Sequence, residues 1–218
     1  MRVVKRDAIE RLKPEYRSVR EKVLAAAVEL FAAYGYHAAT MRDIARIAGI
    51  QAASIYYHYA NKQALLVEIM ETHMLRLNSN LEQIVSQQKK SVQQRLYEAI
   101  ANHIHLHTTF KSEFFIIDTE IRALEGENRG KILALRDQYE SLLQKLLREG
   151  MEQGILRQTD VKVSSYAIIA MCTEVAAWFR PSGRLTVQQV IDIYSQIVTE
   201  GLLLIKEPAE KIGESTRT

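Results

Sequence analysis

Apolar positions recur at helical spacing along nearly the whole chain. Val23, Leu24, Ala27, Leu30 and Phe31 fall three and four apart, which predicts a helix over about 18–34 with one apolar face. Ser18 followed by Glu21 forms a capping box at its start, and Gly35 is a natural stop because glycine tolerates the left-handed backbone of a helix end. Thr40, followed by Asp43, caps a second short helix that carries Ile44, Ala45, Ile47 and Ala48 and stops at Gly49. Ile50 is expected to be buried, and a third short helix is expected over 51–57. Asn61 caps a long helix whose apolar stripe runs through Leu65, Leu66, Ile69, Met70, His73, Leu77, Leu81, Ile84 and Val85. Further helices are expected over 91–108, 110–124, 128–150, 160–179 and 186–205, punctuated by Gly126, Gly150, Gly154 and the Pro181-Ser182-Gly183 turn.

Composition supports that pattern. Nine Gly and three Pro in 218 residues leave few helix breakers, and strand-like alternation is hard to find. The expected fold class is all-α: an N-terminal three-helix head over 1–62, with a basic tail over 1–15, and a helical body over 63–218. The single cysteine, Cys172, excludes an intrachain disulfide framework and a Cys-rich zinc site. It sits among Ala170, Met171 and Val175 and reads as a buried, inert thiol. No apolar run approaches bilayer-spanning length, and residues 1–13 lack the apolar core of a signal peptide. The expected location is the cytoplasm, with no membrane partner.

Charge separates head from body. Residues 1–62 hold eleven Lys and Arg against six Asp and Glu, a net +5, which leaves −2 for residues 63–218. A basic head on a mildly acidic body fits a polyanion partner for the head alone; a solubilising tail fits it equally.

Residues 40–59 have the features of a helix-turn-helix. Two short helices meet at a turn containing Gly49. Ala45 allows a close helix crossing, and Ile44, Ala48, Ile50 and Ile55 can share a small core. The second helix begins with small polar residues, Gln51, Ala52, Ala53 and Ser54, and can lie in a major groove. Thr40, Tyr56, Tyr57, His58 and Lys62 flank it where phosphates would run. A cation at Lys62, in the first turn of a helix, gains nothing from the helix dipole, which points to an external anion. An ordinary three-helix bundle with boundary tyrosines fits the same spacing.

The stretch over 23–70, VLAAAVELFAAYGYHAATMRDIARIAGIQAASIYYHYANKQALLVEIM, resembles the TetR/AcrR family of transcriptional regulators. That family's A-x-x-L-F-x-x-x-G-[YF], T-x-x-x-I-A-x-x-A-G-[VI], [LI]-Y-x-[HY]-[FY] and [NS]-K-x-x-L segments occur in order and at the right spacing. The resemblance implies binding to palindromic double-stranded DNA. By position, Arg42, Ala52, Ala53 and Ser54 would face bases, and Thr40, Tyr56, Tyr57, His58 and Lys62 would hold phosphates. Many members start the recognition helix with Lys, Arg or Pro next to Gly or Ser; here Gln51-Ala52-Ala53 stands there. Alanine touches a thymine methyl but offers no hydrogen bond, so specificity leans on Arg42, Gln51, the tyrosines and DNA shape.

The resemblance also implies a homodimer through the last two long helices. Their apolar residues agree: Val163, Tyr166, Ala167, Ile169, Ala170 and Val175 cover more than one face of their helix, as do Val187, Val190, Ile193, Ile197 and Val198 of theirs. Between them lies Trp178-Phe179-Arg180-Pro181-Ser182-Gly183-Arg184-Leu185-Thr186. Its arginines could clamp phosphates, or could complement the dipole at a helix C-terminus. The W-[FY]-R-P-x-G-R-L-[ST] turn is similar to that of family members that sense acyl-CoA thioesters in fatty-acid, phenylacetate and steroid degradation. That resemblance implies an acyl-CoA effector, with Phe114, Arg122, Trp178, Arg180 and Arg184 as ligand residues and the stretches 110–124 and 132–147 as lining for the apolar cavity that its acyl chain wants. The expected function is a repressor of a catabolic operon; the alternative is a repressor of an efflux or detoxification operon that answers to a neutral aromatic or drug-like ligand. No cofactor is expected. His103, His105 and His107 could suggest a metal, but no carboxylate lies in register, so polar-boundary or pocket histidines are the better reading. No nucleophile–base–acid set or Gly-rich phosphate loop is present, so catalysis is not expected.

Overall fold

The computed structural model describes residues 18–202. The basic tail over 1–15 and the expected end of the last helix beyond 202 lie outside the described residues. Among the described residues the α-helices are α1 (Val19–Tyr34), α2 (Met41–Ile47), α3 (Ile55–His58), α4 (Lys62–Ser86), α5 (Val92–Thr109), α6 (Lys111–Thr119), α7 (Glu127–Glu152), α8 (Val161–Trp178) and α9 (Val187–Leu202), with a 3₁₀ turn at Ile121–Ala123. The chain is all-α, as expected.

Side chains that satisfy orphan backbone donors begin most of these helices. Ser18 and Glu21 form a full capping box, Thr40 accepts from the Asp43 N–H, and Asn61 accepts from the Ala64 N–H. Two elements differ from expectation. The third helix begins four residues late: Ser54 N–H closes a turn onto the Gln51 carbonyl at 2.9 Å, and Ser54 makes no side-chain cap, so only 55–58 wind into helix. The helix expected over 110–124 ends at Thr119 and continues as the 3₁₀ turn. There Glu120 leaves helical geometry and turns its carboxylate to the head.

The head core consists of Val23, Ala26, Ala27, Leu30 and Phe31 of α1 with Ile44, Ala45, Ile47 and Ile55, all buried; Ile50 is half-buried. The expected boundary at residue 62 coincides with the first residue of α4, which runs on for 25 residues without a break into the body. In the body α4 packs along α7, while α5 packs against α8 and α9. A buried ion pair joins these layers. Arg95, 2% exposed, donates to Glu149 Oε2 at 2.9 Å, to Glu149 Oε1 at 2.5 Å and to the Val85 carbonyl at 3.0 Å. This hydrogen bonding holds the Glu149 carboxyl below its ordinary range.

Candidate functional site

The head presents a mostly small, polar surface. Arg42, Gln51, Ala52, Ala53, Ser54, Tyr56 and Tyr57 are exposed, Tyr57 at 90%, and His58 is half-buried. Arg42 makes no ion pair among the described residues, whereas Arg46 on the same helix is held by Asp43 at 3.0 Å. Gly49 (φ +70°) makes the turn that a side chain would strain. Thr40 is already engaged: its hydroxyl accepts from the Asp43 N–H at 3.1 Å and donates to Asp43 Oδ2 at 2.8 Å.

Lys62, expected beside a phosphate, is half-buried and has partners within the protein. Its Nζ donates to the carbonyls of Tyr36 at 2.6 Å and Ala39 at 2.8 Å, and lies 4.2 Å from the centre of the Tyr36 ring. Burial lowers its pKa, and Glu120 partly offsets that. Carbonyls of the preceding connection thus already give this first-turn cation partners within the protein. The same connection is tied to the body, where Tyr36 N–H donates to Glu120 Oε1 at 3.2 Å; beside it, Gln63 Nε2 of α4 donates to the Ala123 carbonyl at 3.0 Å.

Glu120 directly follows α6, and α6 forms one wall of a half-open cavity of about 260 Å³ in the body. Met74, Leu77, Phe114, Ile117 and Ile169 supply apolar lining; His103, His107, Tyr139 and Thr173 supply polar groups. Arg136 and Asp118, which form an ion pair, also line it. His103 Nδ1 is 2.8 Å from the Tyr139 hydroxyl and its Nε2 is 2.9 Å from Thr173 Oγ1. His107 Nδ1 is 2.9 Å from the His103 carbonyl. The two imidazoles stack at 4.0 Å, and His107 stacks on Phe114 at 3.9 Å. Burial lowers all three body-core histidines: His107 and His73 to about 4, and His103 well below its ordinary value. At neutral pH they are uncharged. Among the described residues no group of His, Cys, Asp or Glu is placed to hold a metal.

Of the ligand residues expected from sequence, Phe114 lines this cavity. Arg122, Trp178, Arg180 and Arg184 do not; all four are exposed. Arg180 donates from Nη1 to the carbonyls of Ala177 (3.1 Å) and Phe179 (3.0 Å), closing the end of α8 as the dipole reading had it. Asp118, Arg136 and Tyr139 fall within the stretches 110–124 and 132–147 expected to line a cavity, but neither they nor Thr173 were singled out. Their spacing carries no motif, and only the crossing of α5, α6, α7 and α8 brings them together. Cys172 is buried, and burial pushes its thiol up to about 12, as expected of an inert cysteine.

Apolar side chains also remain outside. Val163 (64% exposed), Tyr166 and Trp178 on α8 stand out with Ile193 and Ile197 (54%) on α9. No helix among the described residues is long and apolar enough to cross a membrane.

Comparison with known proteins places these features in one family. Residues 23–69 match the bacterial regulatory proteins of the tetR family, and residues 89–202 match the tetracyclin repressor-like C-terminal domain. The HTH-type transcriptional repressor KstR2 of Mycobacterium tuberculosis is 30% identical over 202 residues, covering 89% of this chain and 98% of KstR2. The structure of that ketosteroid transcriptional regulator superposes with a TM-score of 0.79 at 28% identity, over 88% of this chain and 99% of the other. The fatty acid metabolism regulator protein of Bacillus subtilis is 26% identical over 72% of this chain and 81% of its own length. AibR, whose crystal structure holds isovaleryl coenzyme A and operator DNA, superposes with a TM-score of 0.75 at 28% identity, over 83% of this chain and 97% of AibR. With the helix-turn-helix at one end, the cavity at the other and these matches along its length, the chain belongs to the TetR family of DNA-binding transcriptional regulators.

Proposed function

We propose that this regulator is a homodimeric repressor of a catabolic operon, released from a palindromic operator when an acyl-CoA thioester enters the body cavity. The observation that carries the reading is the continuity of α6. Phe114, Ile117 and Asp118 line the cavity, and Glu120, two residues later, accepts from the Tyr36 N–H of the head. A ligand that displaces α6 acts directly on the seat of the DNA-reading unit. Arg42, Gln51, Ala52, Ala53 and Ser54 face the bases in this reading, and Tyr56, Tyr57 and His58 meet phosphates. The exposed apolar residues of α8 and α9 cover one another across a two-fold axis, setting two heads on successive major grooves.

The acyl group occupies the cavity and the coenzyme lies beyond Arg136, whose guanidinium exchanges Asp118 for a phosphate. AibR's complex with isovaleryl coenzyme A supports this chemistry. An apolar lining and an arginine already paired with Asp118 favour a second reading, a neutral aromatic or drug-like effector. A thermal-shift screen separates the two: acyl-CoA thioesters should raise Tm where the matching free acids and neutral aromatics do not. Equal shifts from the free acids would defeat the thioester reading.

A further inference from the structure

We propose that the effector carries a hydrogen-bond donor, a hydroxyl on a ring-sized acyl group, that is received by His107 Nε2. This inference rests on the cavity being the effector site. His107 is 4% exposed, and three of its sides are closed. One ring face lies on the His103 imidazole at 4.0 Å and the other on Phe114 at 3.9 Å. The Nδ1 edge meets the His103 carbonyl at 2.9 Å. A carbonyl can only accept, so Nδ1 carries the proton. Nε2 has no hydrogen-bond partner among the described residues, yet it is absent from the fully enclosed, unpartnered side-chain atoms such as His73 Nδ1. The remaining edge of the ring, with Nε2, is therefore what His107 contributes to the cavity.

In a neutral imidazole one nitrogen donates and the other accepts. With Nδ1 committed as donor, Nε2 is a lone pair in a largely apolar chamber. Burial keeps the ring uncharged at neutral pH, and the nearby Arg136 acts in the same direction. An ether or methyl group placed there leaves the lone pair buried and unmatched, whereas a hydroxyl satisfies it. Both nitrogens of the neighbouring His103 are already engaged, by Tyr139 and Thr173, and Arg136 is paired with Asp118. The volume of about 260 Å³ accommodates a ring or branched chain.

The test uses CoA thioesters of 3- and 4-hydroxycyclohexanecarboxylic acids, their O-methyl ethers and unsubstituted cyclohexanecarboxylic acid, with calorimetric Kd as the readout. At least one hydroxy isomer should bind about tenfold more tightly than both its ether and the unsubstituted thioester. His107→Phe should abolish that preference while the unsubstituted thioester still binds. If all three classes bind alike, the cavity reading stands and the donor rule falls; if none binds, both fall. The imidazole ¹⁵N spectrum of the unliganded full chain at pH 7 needs no variant. It should show His107 with Nδ1 protonated and Nε2 bare, and the opposite tautomer overturns the proposal.

Discussion

Lys62 and Arg42 are both cations on the head, and their surroundings assign them different work. Lys62→Ala removes charged hydrogen bonds to the Tyr36 and Ala39 carbonyls. It should lower stability by about 1–2 kcal/mol and weaken DNA binding without changing its salt slope. A salt slope reduced by about one at unchanged Tm would return Lys62 to a phosphate. Arg42→Ala should leave Tm in place and cost about 1–3 kcal/mol on the specific operator, read by fluorescence anisotropy on specific and scrambled DNA. Buried histidines set a pH dependence. His73 and His107 titrate at about 4 in the fold against 6.5 when exposed, so below pH 6.5 the unfolded chain takes up protons that the fold refuses. Their stability is complete above pH 6.5 and is lost as pH falls toward 4, at no more than about 1.4 kcal/mol per pH unit for each. Denaturant midpoints should therefore fall from pH 7 to about 5.5. Glu113 and Asp118, both raised by burial, act in the opposite sense. Sequence singled out His103 and His107 as pocket or boundary residues. It could not show that one nitrogen of His107 stays unmatched, because that depends on two rings and a carbonyl meeting in space.

At the scale of elements, periodicity and caps were highly legible. Ser18, Thr40 and Asn61 each begin the helix they were expected to begin, because a capping side chain acts within three residues. The recognition element was less legible. Apolar spacing over 50–57 reads as helix, but Gln51–Ser54 close a turn through backbone bonds that leave no mark in the pattern. The end of α6 was hidden for a similar reason: Glu120 leaves the helix to meet Tyr36, a partner 84 positions away. In the proposed mechanism that contact makes α6 the link between cavity and head. Glu120→Ala should keep effector binding within about twofold while reducing effector-driven DNA release, measured as the ratio of operator Kd with and without effector. An unchanged ratio would place the coupling elsewhere. Helix crossings also impose tight fits. A Cβ on Gly150 would lie 2.6 Å from Leu156 Cδ1 and 2.9 Å from Val92 Cγ1, so Gly150→Ala should destabilise the body by about 1–3 kcal/mol in denaturant unfolding.

Across the whole molecule, the division of charge and the ordered head motif made the DNA-binding end readable from sequence, while the cavity was readable only as two lining stretches, 110–124 and 132–147. Its lining is drawn from α4 through α8, and no window of sequence holds more than a few of its residues. The Trp178–Thr186 turn drew attention because its residues are adjacent, yet Arg180 closes a helix end. The exposed α8 and α9 residues lead to a further expectation. Ile197→Asp should convert a dimer to a monomer in sedimentation and reduce operator affinity with it, because one head alone spans half a palindrome. Filling the body cavity should release the head from DNA. The most direct test follows fluorescence anisotropy of operator DNA from the regulator's own promoter at fixed salt while an acyl-CoA thioester is titrated against the bound protein. Anisotropy should fall to that of free DNA as one thioester binds per protomer. Saturating the cavity, verified by calorimetry in the same buffer, with no change in anisotropy would contradict the account.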